Sequence, residues 1–153
     1  MNLEGTFDVR APRSLVWEKL TDPALMAGCI PGCEEIEQLS ATSYRAVVQV
    51  KVGPIKARFN LVTEVTREEP PDAVYSATRG EEGTRASVVS ADSVVRLAET
   101  NPGETSVSYS SEVSVTGRLG KFGLGVMRKK AESLSLEFVE NFKKRVEPES
   151  AGA

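Results

Sequence analysis

Histidine is absent from all 153 residues of the chain. Its ordinary pKa lies near neutral pH, which makes histidine a frequent general base and metal ligand. A serine or cysteine nucleophile activated by histidine is therefore excluded, and so is a histidine-bound metal. Any catalysis would have to use carboxylates, lysines, tyrosines or thiols.

Cysteine and long apolar runs are also scarce. Cys29 and Cys33 are the two cysteines of the chain. No run approaches the roughly 18 apolar residues that cross a bilayer, and the first residues lack the basic and apolar regions of a signal peptide. Thiols without a secretory signal are typical of intracellular proteins. We therefore expect a cytoplasmic protein.

A strong charge of one sign is missing as well. The chain has 19 basic and 22 acidic side chains, for a formal net charge of −3. A nucleic-acid-binding domain usually clusters basic residues on one face, so we expect no nucleic-acid partner. The length favours a single domain, which we place over residues 1–147, with a short disordered tail over 148–153.

Two short helices are predicted after an opening strand over residues 3–9. Pro12 and Pro23 suit the first turn of a helix, and Asp22 is a favoured N-cap residue. Pro31-Gly32 should end the second helix. A long helix is predicted over about 121–145, because its apolar residues recur at steps of three and four. They are Leu124, Met127, Ala131, Leu134, Phe138 and Phe142.

Residues from about 33 to 117 alternate between apolar and polar side chains, which is typical of antiparallel strands with one wet face. Turn-forming residues interrupt the alternation at 67–73, 79–83 and 99–105. This pattern predicts six strands after the first. The fold class is therefore α+β: a curved antiparallel sheet of seven strands around one long C-terminal helix, with two short helices after the first strand. The space beneath that helix is a candidate apolar pocket.

Two stretches resemble a known family. Residues 7–37, FDVRAPRSLVWEKLTDPALMAGCIPGCEEIE, resemble the opening of CoxG proteins, the G subunits of carbon monoxide dehydrogenase, with a pattern of the type VxAPxxxVWxxLxDPxxLxxCIPGCE. Residues 113–142 are similar to the strand-to-helix junction and long helix of that family. The order of elements also resembles the START-like helix-grip fold of the SRPBCC superfamily.

The resemblance implies a non-catalytic accessory protein. CoxG proteins are associated with molybdenum-containing carbon monoxide dehydrogenases and related hydroxylases, and with placing these enzymes at the membrane. The superfamily commonly holds lipophilic molecules under the long helix. The expected ligand is thus a quinone or similar lipid, and the expected partners are a molybdenum enzyme and, through peripheral contact, the inner face of the cell membrane.

We predict a ligand cavity, with no catalytic residue, metal ligand or intrinsic cofactor. Its predicted lining residues come from the short helices, the strands and the long helix. They are Trp17, Cys29, Ile30, Tyr44, Phe59, Leu61, Tyr75, Tyr109, Leu124, Met127, Ala131, Leu134 and Phe138.

The two cysteines fit a structural role better than a redox role. A redox pair usually has C-x-x-C spacing at the N-terminus of a helix, whereas Cys29 is expected at the C-terminal end of one. A zinc site would need further ligands, which the sequence could supply only from carboxylates. We therefore interpret both thiols as small buried side chains at the rim of the pocket.

Two other functions remain open at this stage. One is an enzyme of the cyclase, dehydratase or hydrolase type that acts on a hydrophobic substrate in the same cavity. A charged side chain on the concave face would favour such an enzyme, and Asp92 is the chief candidate if its side of the strand faces inward. The other is a superfamily member that binds hydrophobic partner proteins in a groove.

Overall fold

The computed structural model describes residues 1–83 and 86–147. The expected tail over 148–153 lies outside the described residues. The strands are β1 (Asn2–Val9), β2 (Cys33–Gln38), β3 (Ser43–Val52), β4 (Ile55–Glu69), β5 (Ala73–Glu82), β6 (Ser87–Asn101) and β7 (Glu104–Gly117). The α-helices are α1 (Arg13–Leu20), α2 (Pro23–Cys29) and α3 (Leu124–Val146), and a short 3₁₀ turn, Gly120–Phe122, precedes α3.

The described strands form one antiparallel sheet in the order β1-β7-β6-β5-β4-β3-β2. Strands β2 to β7 pair with their neighbours in sequence, whereas β1 pairs with the last strand, β7. Both β1 and β2 are edges, so the sheet curves without closing into a barrel. The predicted fold class, including the two short helices after β1, is confirmed.

The start of α2 follows directly from the sequence. The carboxylate of Asp22 accepts hydrogen bonds from the backbone N–H groups of Ala24 at 3.0 Å and Leu25 at 3.4 Å. These groups have no partner within the helix, which is why an aspartate is favoured at this position. At the other end, Asn141 of α3 donates its side-chain amide to the carbonyl oxygen of Cys29 at 3.1 Å.

The turn predicted at residues 79–83 is wrong over most of its length. Strand β5 continues to Glu82, so Gly80 is part of the strand. Gly80 pairs with Leu61 of β4, and a Cβ atom there would collide with the carbonyl oxygen of Asn60. This glycine therefore permits a close approach of two strands rather than a turn.

Two separate apolar clusters form the core. The first lies beneath the C-terminal half of α3 and unites β1, α1, α2, β6 and β7. Its buried members are Val9, Ala11, Val16, Cys29, Leu97, Val107, Phe142 and Val146. The second lies near the 3₁₀ turn, at the other end of the sheet. Its buried members are Val52, Ala57, Phe59 and Leu119.

Helix α3 is held mainly at its C-terminal end. Phe142 and Val146 are buried, and Phe142 contacts Phe7 of β1 edge-to-face at a ring distance of 6.3 Å. Leu124, at the first turn of the same helix, is 72% exposed. The backbone of α3 comes closest to α2, β1, the 3₁₀ turn and α1. The middle of the sheet is therefore left partly uncovered.

A substitution at Gly80 tests whether this residue lies in a strand. We expect Gly80→Ala to lower the free energy of unfolding by about 1–3 kcal/mol, because the added methyl group must displace β4. Gly125→Ala is the control, since a Cβ atom at Gly125 meets nothing within 4 Å. That control lies in a helix and should be neutral or stabilising by up to about 1 kcal/mol. Urea unfolding measures both, and equal stability of the two variants would contradict the strand assignment.

Candidate functional site

The concave face of the sheet carries a band of hydroxyl groups between the two apolar clusters. Tyr44, Thr63 and Thr78 stand side by side on β3, β4 and β5. In the next row, Ser76, Ser93 and Ser111 stand side by side on β5, β6 and β7. All six are half-buried. This face is therefore apolar at both ends and polar in its middle.

Hydroxyl pairs bridge neighbouring strands within the band. The hydroxyl oxygens of Thr63 and Thr78 lie 2.8 Å apart, and those of Ser93 and Ser111 also lie 2.8 Å apart. Each pair shares one hydrogen bond but has two protons. One O–H donor per pair therefore remains for another acceptor.

The first of two cavities at this face, called here the apolar cavity, lies between α2 and α3. Its volume is about 250 Å³. Its lining is almost entirely apolar, because the side chains come from the inner face of α3 and the segment that follows α2. The lining residues are Ile30, Pro31, Tyr109, Leu134, Ser135 and Phe138.

The second, called here the hydroxyl cavity, lies between α1, α2 and the turn that joins β2 to β3. Its volume is about 190 Å³. Met26 and Val95 supply apolar walls, and Tyr44, Ser76 and Thr42 supply hydroxyl groups. Among the described residues, Glu68 is its one acidic lining residue, and no lysine or arginine lines it.

The two cavities are neighbours. Val95 lines the hydroxyl cavity and pairs across the strands with Tyr109, which lines the apolar cavity. Helix α2 covers both, since Met26 belongs to one lining and Ile30, just after the helix, to the other. A ligand with a small head and an apolar body matches this arrangement in shape and polarity.

Tyr44 is the most distinctive group of the site. Burial raises the pKa of its phenol above the ordinary value of 10.0. The hydroxyl therefore stays protonated, and can donate a hydrogen bond, throughout the physiological pH range.

Five of the predicted lining residues contact a cavity. Ile30, Tyr109, Leu134 and Phe138 line the apolar cavity, and Tyr44 lines the hydroxyl cavity. Six other predicted lining residues lie in or against the two apolar clusters or on α3. Cys29 is buried in the first cluster and Trp17 packs against it, Phe59 is buried in the second with Leu61 and Met127 beside it, and Ala131 is half-buried on α3.

Two predicted lining residues are placed elsewhere by the structure. Tyr75 lies on the convex face, where the guanidinium groups of Arg67 and Arg96 lie 5.4 Å and 5.5 Å from its ring centre. Its neighbours Val74 and Ser76 face the concave side, and adjacent residues of a strand point to opposite faces. Leu124 is exposed because the first turn of α3 stands away from the sheet.

The sequence did not predict the buried carboxylate of the concave face. Asp92, the predicted candidate, is exposed on the opposite face, whereas Glu82 is buried on the concave side. Glu82 accepts hydrogen bonds from the Arg118 guanidinium and, at 2.8 Å, from the Ser87 hydroxyl. This pairing holds Glu82 beside the second cluster. No alternation marks this part of β5, because residues 79–82 are Arg-Gly-Glu-Glu.

The cysteines have the environment of structural thiols. Both are free; Cys29 is buried at the end of α2 and Cys33 begins β2. Burial raises the pKa of both thiols, although the charge of Arg145 partly offsets this effect at Cys29. A raised pKa leaves little reactive thiolate at neutral pH. Cys29 belongs to the core, and does not line either cavity.

The part of the chain that the structure describes contains neither a metal-binding cluster nor a membrane-spanning helix. No group of three or more cysteine, aspartate or glutamate side chains there could hold a metal ion. None of the helices described is long and apolar enough to cross a membrane.

The family model that describes CoxG, the G subunit of carbon monoxide dehydrogenase, matches residues 5–147. The chain belongs to the CoxG family. No curated protein sequence matches it significantly.

Solved structures of low sequence identity share the fold of this CoxG family member. A conserved protein from Geobacillus kaustophilus is 27% identical, with a TM-score of 0.89 and 95% of each chain covered. A START superfamily protein from Mycobacterium smegmatis is 14% identical, with a TM-score of 0.74 over 95% of this chain and 96% of that one. The Zhui aromatase/cyclase from a Streptomyces species is 18% identical, with a TM-score of 0.68 over 95% and 93%.

The burial of Tyr44 predicts a pH dependence of stability. Folding raises the pKa of this phenol, so the protonated phenol contributes to the stability of the folded state at pH values below 10.0. This contribution to stability is lost as the pH rises through the folded-state pKa. The free energy of unfolding should therefore fall more steeply above pH 10 in the wild type than in Tyr44→Phe. Urea unfolding between pH 8 and 12 measures the difference. Parallel curves would show that Tyr44 ionises as freely in the folded state as in the unfolded one.

Proposed function

We propose that this protein is a non-catalytic accessory protein that binds a quinone-like lipid beneath α3 and assists a molybdenum hydroxylase at the membrane. One observation carries the proposal. Two neighbouring cavities lie along α2: an apolar one between α2 and α3, and one rich in hydroxyl groups between α2, α1 and the turn that joins β2 to β3. Their walls suit a lipophilic body with a polar head.

The family supports the choice of partner. Its name describes a subunit of carbon monoxide dehydrogenase, and the match extends over residues 5–147. The ligand would then be the electron acceptor, or a lipid close to it, that such an enzyme meets at the membrane.

An enzymatic role in the same cavity is the alternative, and the Zhui aromatase/cyclase shares this fold. General acid–base catalysis needs a titratable group within reach of the substrate. Of the concave-side carboxylates among the described residues, Glu82 is held by Arg118, and Glu68 lies exposed at the rim of the hydroxyl cavity. The site therefore favours binding over turnover.

Ligand binding can be tested with a cavity-filling variant. We expect native mass spectrometry of protein purified from its own host to show a co-purifying quinone. Leu134→Trp should fill the apolar cavity and weaken quinone binding at least about 10-fold, since overpacking excludes the ligand. Leu136→Trp is the matched control, because Leu136 is 69% exposed and does not line that cavity. A protein that is empty and whose melting temperature does not change with added quinones would contradict the proposal.

The N-terminal end of α3 supports a peripheral membrane contact. Leu124 and Val126 are 72% and 47% exposed, and the cations Lys121 and Lys129 are exposed nearby. Apolar side chains gain free energy on entering the bilayer interface, and each cation near an anionic surface adds about 1 kcal/mol.

Vesicle co-sedimentation tests this contact. We expect binding to phosphatidylglycerol-rich vesicles to weaken about 10-fold in Leu124→Ser, since one buried leucine contributes about 1.5–3 kcal/mol. Leu136→Ser removes an equally large exposed side chain three turns along the helix and should change little. Equal effects of the two variants, or no vesicle binding by the wild type, would refute the membrane contact.

A further inference from the structure

The hydroxyl cavity has the wrong charges for an anionic ligand. None of the basic side chains within 1–83 and 86–147 lines it, and Glu68 adds a negative charge at its rim. A carboxylate or phosphate that enters would lose its hydration without gaining a cation, which is costly. A neutral head group avoids this cost.

The same cavity has unused hydrogen-bond donors. The Tyr44 phenol makes no hydrogen bond with the described residues. The Thr63–Thr78 pair does not belong to the lining, but Thr63 is the cross-strand neighbour of Tyr44, and the pair keeps one O–H donor that its own hydrogen bond does not use. These groups are adjacent across β3, β4 and β5. A neutral acceptor oxygen, such as a carbonyl, is the complement of such donors.

The volumes of the two cavities suit a ligand that has a small head and a separate apolar body. The hydroxyl cavity, at about 190 Å³, is smaller than the roughly 300–1,000 Å³ of sites that enclose a whole drug-sized molecule. It suits one ring or carbonyl head. The apolar cavity is its neighbour across the pair Val95 and Tyr109, and would take the hydrocarbon body of the ligand.

We propose that Tyr44 and the Thr63–Thr78 pair form a polar anchoring site that donates hydrogen bonds to a neutral carbonyl oxygen of the ligand. The site selects carbonyl-bearing lipids over pure hydrocarbons and over fatty-acid-like carboxylates. This inference rests on the proposed ligand-binding function and adds to it the chemistry of the head group.

Three probes of similar apolar size test the selection: decylbenzene, decyl phenyl ketone and 4-decylbenzoate. Their dissociation constants are measured by competition with a fluorescent apolar dye at neutral pH. We expect the ketone to bind about 5-fold more tightly than the hydrocarbon, which corresponds to about one net hydrogen bond, and the carboxylate to bind most weakly.

Matched variants assign the selection to named residues. Tyr44→Phe and Thr63→Val should each reduce the preference for the ketone and leave the affinity for decylbenzene unchanged. The controls are Tyr75→Phe on β5 and Thr66→Val on β4, which make the same chemical changes at residues that do not line the hydroxyl cavity. They should leave the preference at about 5-fold.

The remaining outcomes of these measurements would contradict the proposal. Equal affinity for ketone and hydrocarbon, a preference that survives both Tyr44→Phe and Thr63→Val, or tighter binding of the carboxylate would overturn the anchoring site while leaving lipid binding intact. Failure of all three probes to bind would overturn both this inference and the proposed ligand-binding function.

Discussion

The packing of the last turns of α3 into the first apolar cluster is the contact on which the rest of the structure depends. Phe142 and Val146 are buried there among side chains of β1, β7 and α2. Phe138 stacks on Phe142 at a ring distance of 5.9 Å and extends the contact toward the apolar cavity. Because α3 is held mainly at one end, its first turns can stand away from the sheet. The apolar cavity lies further along the helix, at Leu134 and Phe138, next to the anchoring contact.

The division of the core into two clusters has a functional consequence. A continuous core would fill the concave face with apolar side chains, whereas here a row of hydroxyl groups separates the clusters. Hydroxyl groups retain hydrogen-bonding capacity at little desolvation cost when they are partly exposed. The face is therefore suited to hold an amphiphilic molecule. The buried carboxylate, Glu82, is engaged by Arg118 and stabilises the far end of the sheet.

The sequence predicted part of the candidate site, and the failures have physical reasons. In β7 the alternation identifies the inner face, because Val107, Tyr109, Val113 and Val115 lie on it and alternate with polar residues. Strand β5 gave no such signal: both of its faces mix apolar and polar side chains, so either could face inward. An error of one residue in a strand exchanges its two faces. Tyr75 was therefore assigned to the cavity, and its neighbour Ser76 was missed.

The sequence by itself determined the order of the elements, the N-cap at Asp22, the apolar stripe of α3 and the family, because these depend on residues close together in the chain. Only the tertiary structure decided which end of α3 is buried and which strand faces turn inward. It also decided that Tyr44 stands beside Thr63 and Thr78, and that Glu82 meets Arg118. These features depend on strand register and on contacts between distant residues, which periodicity in the sequence does not specify.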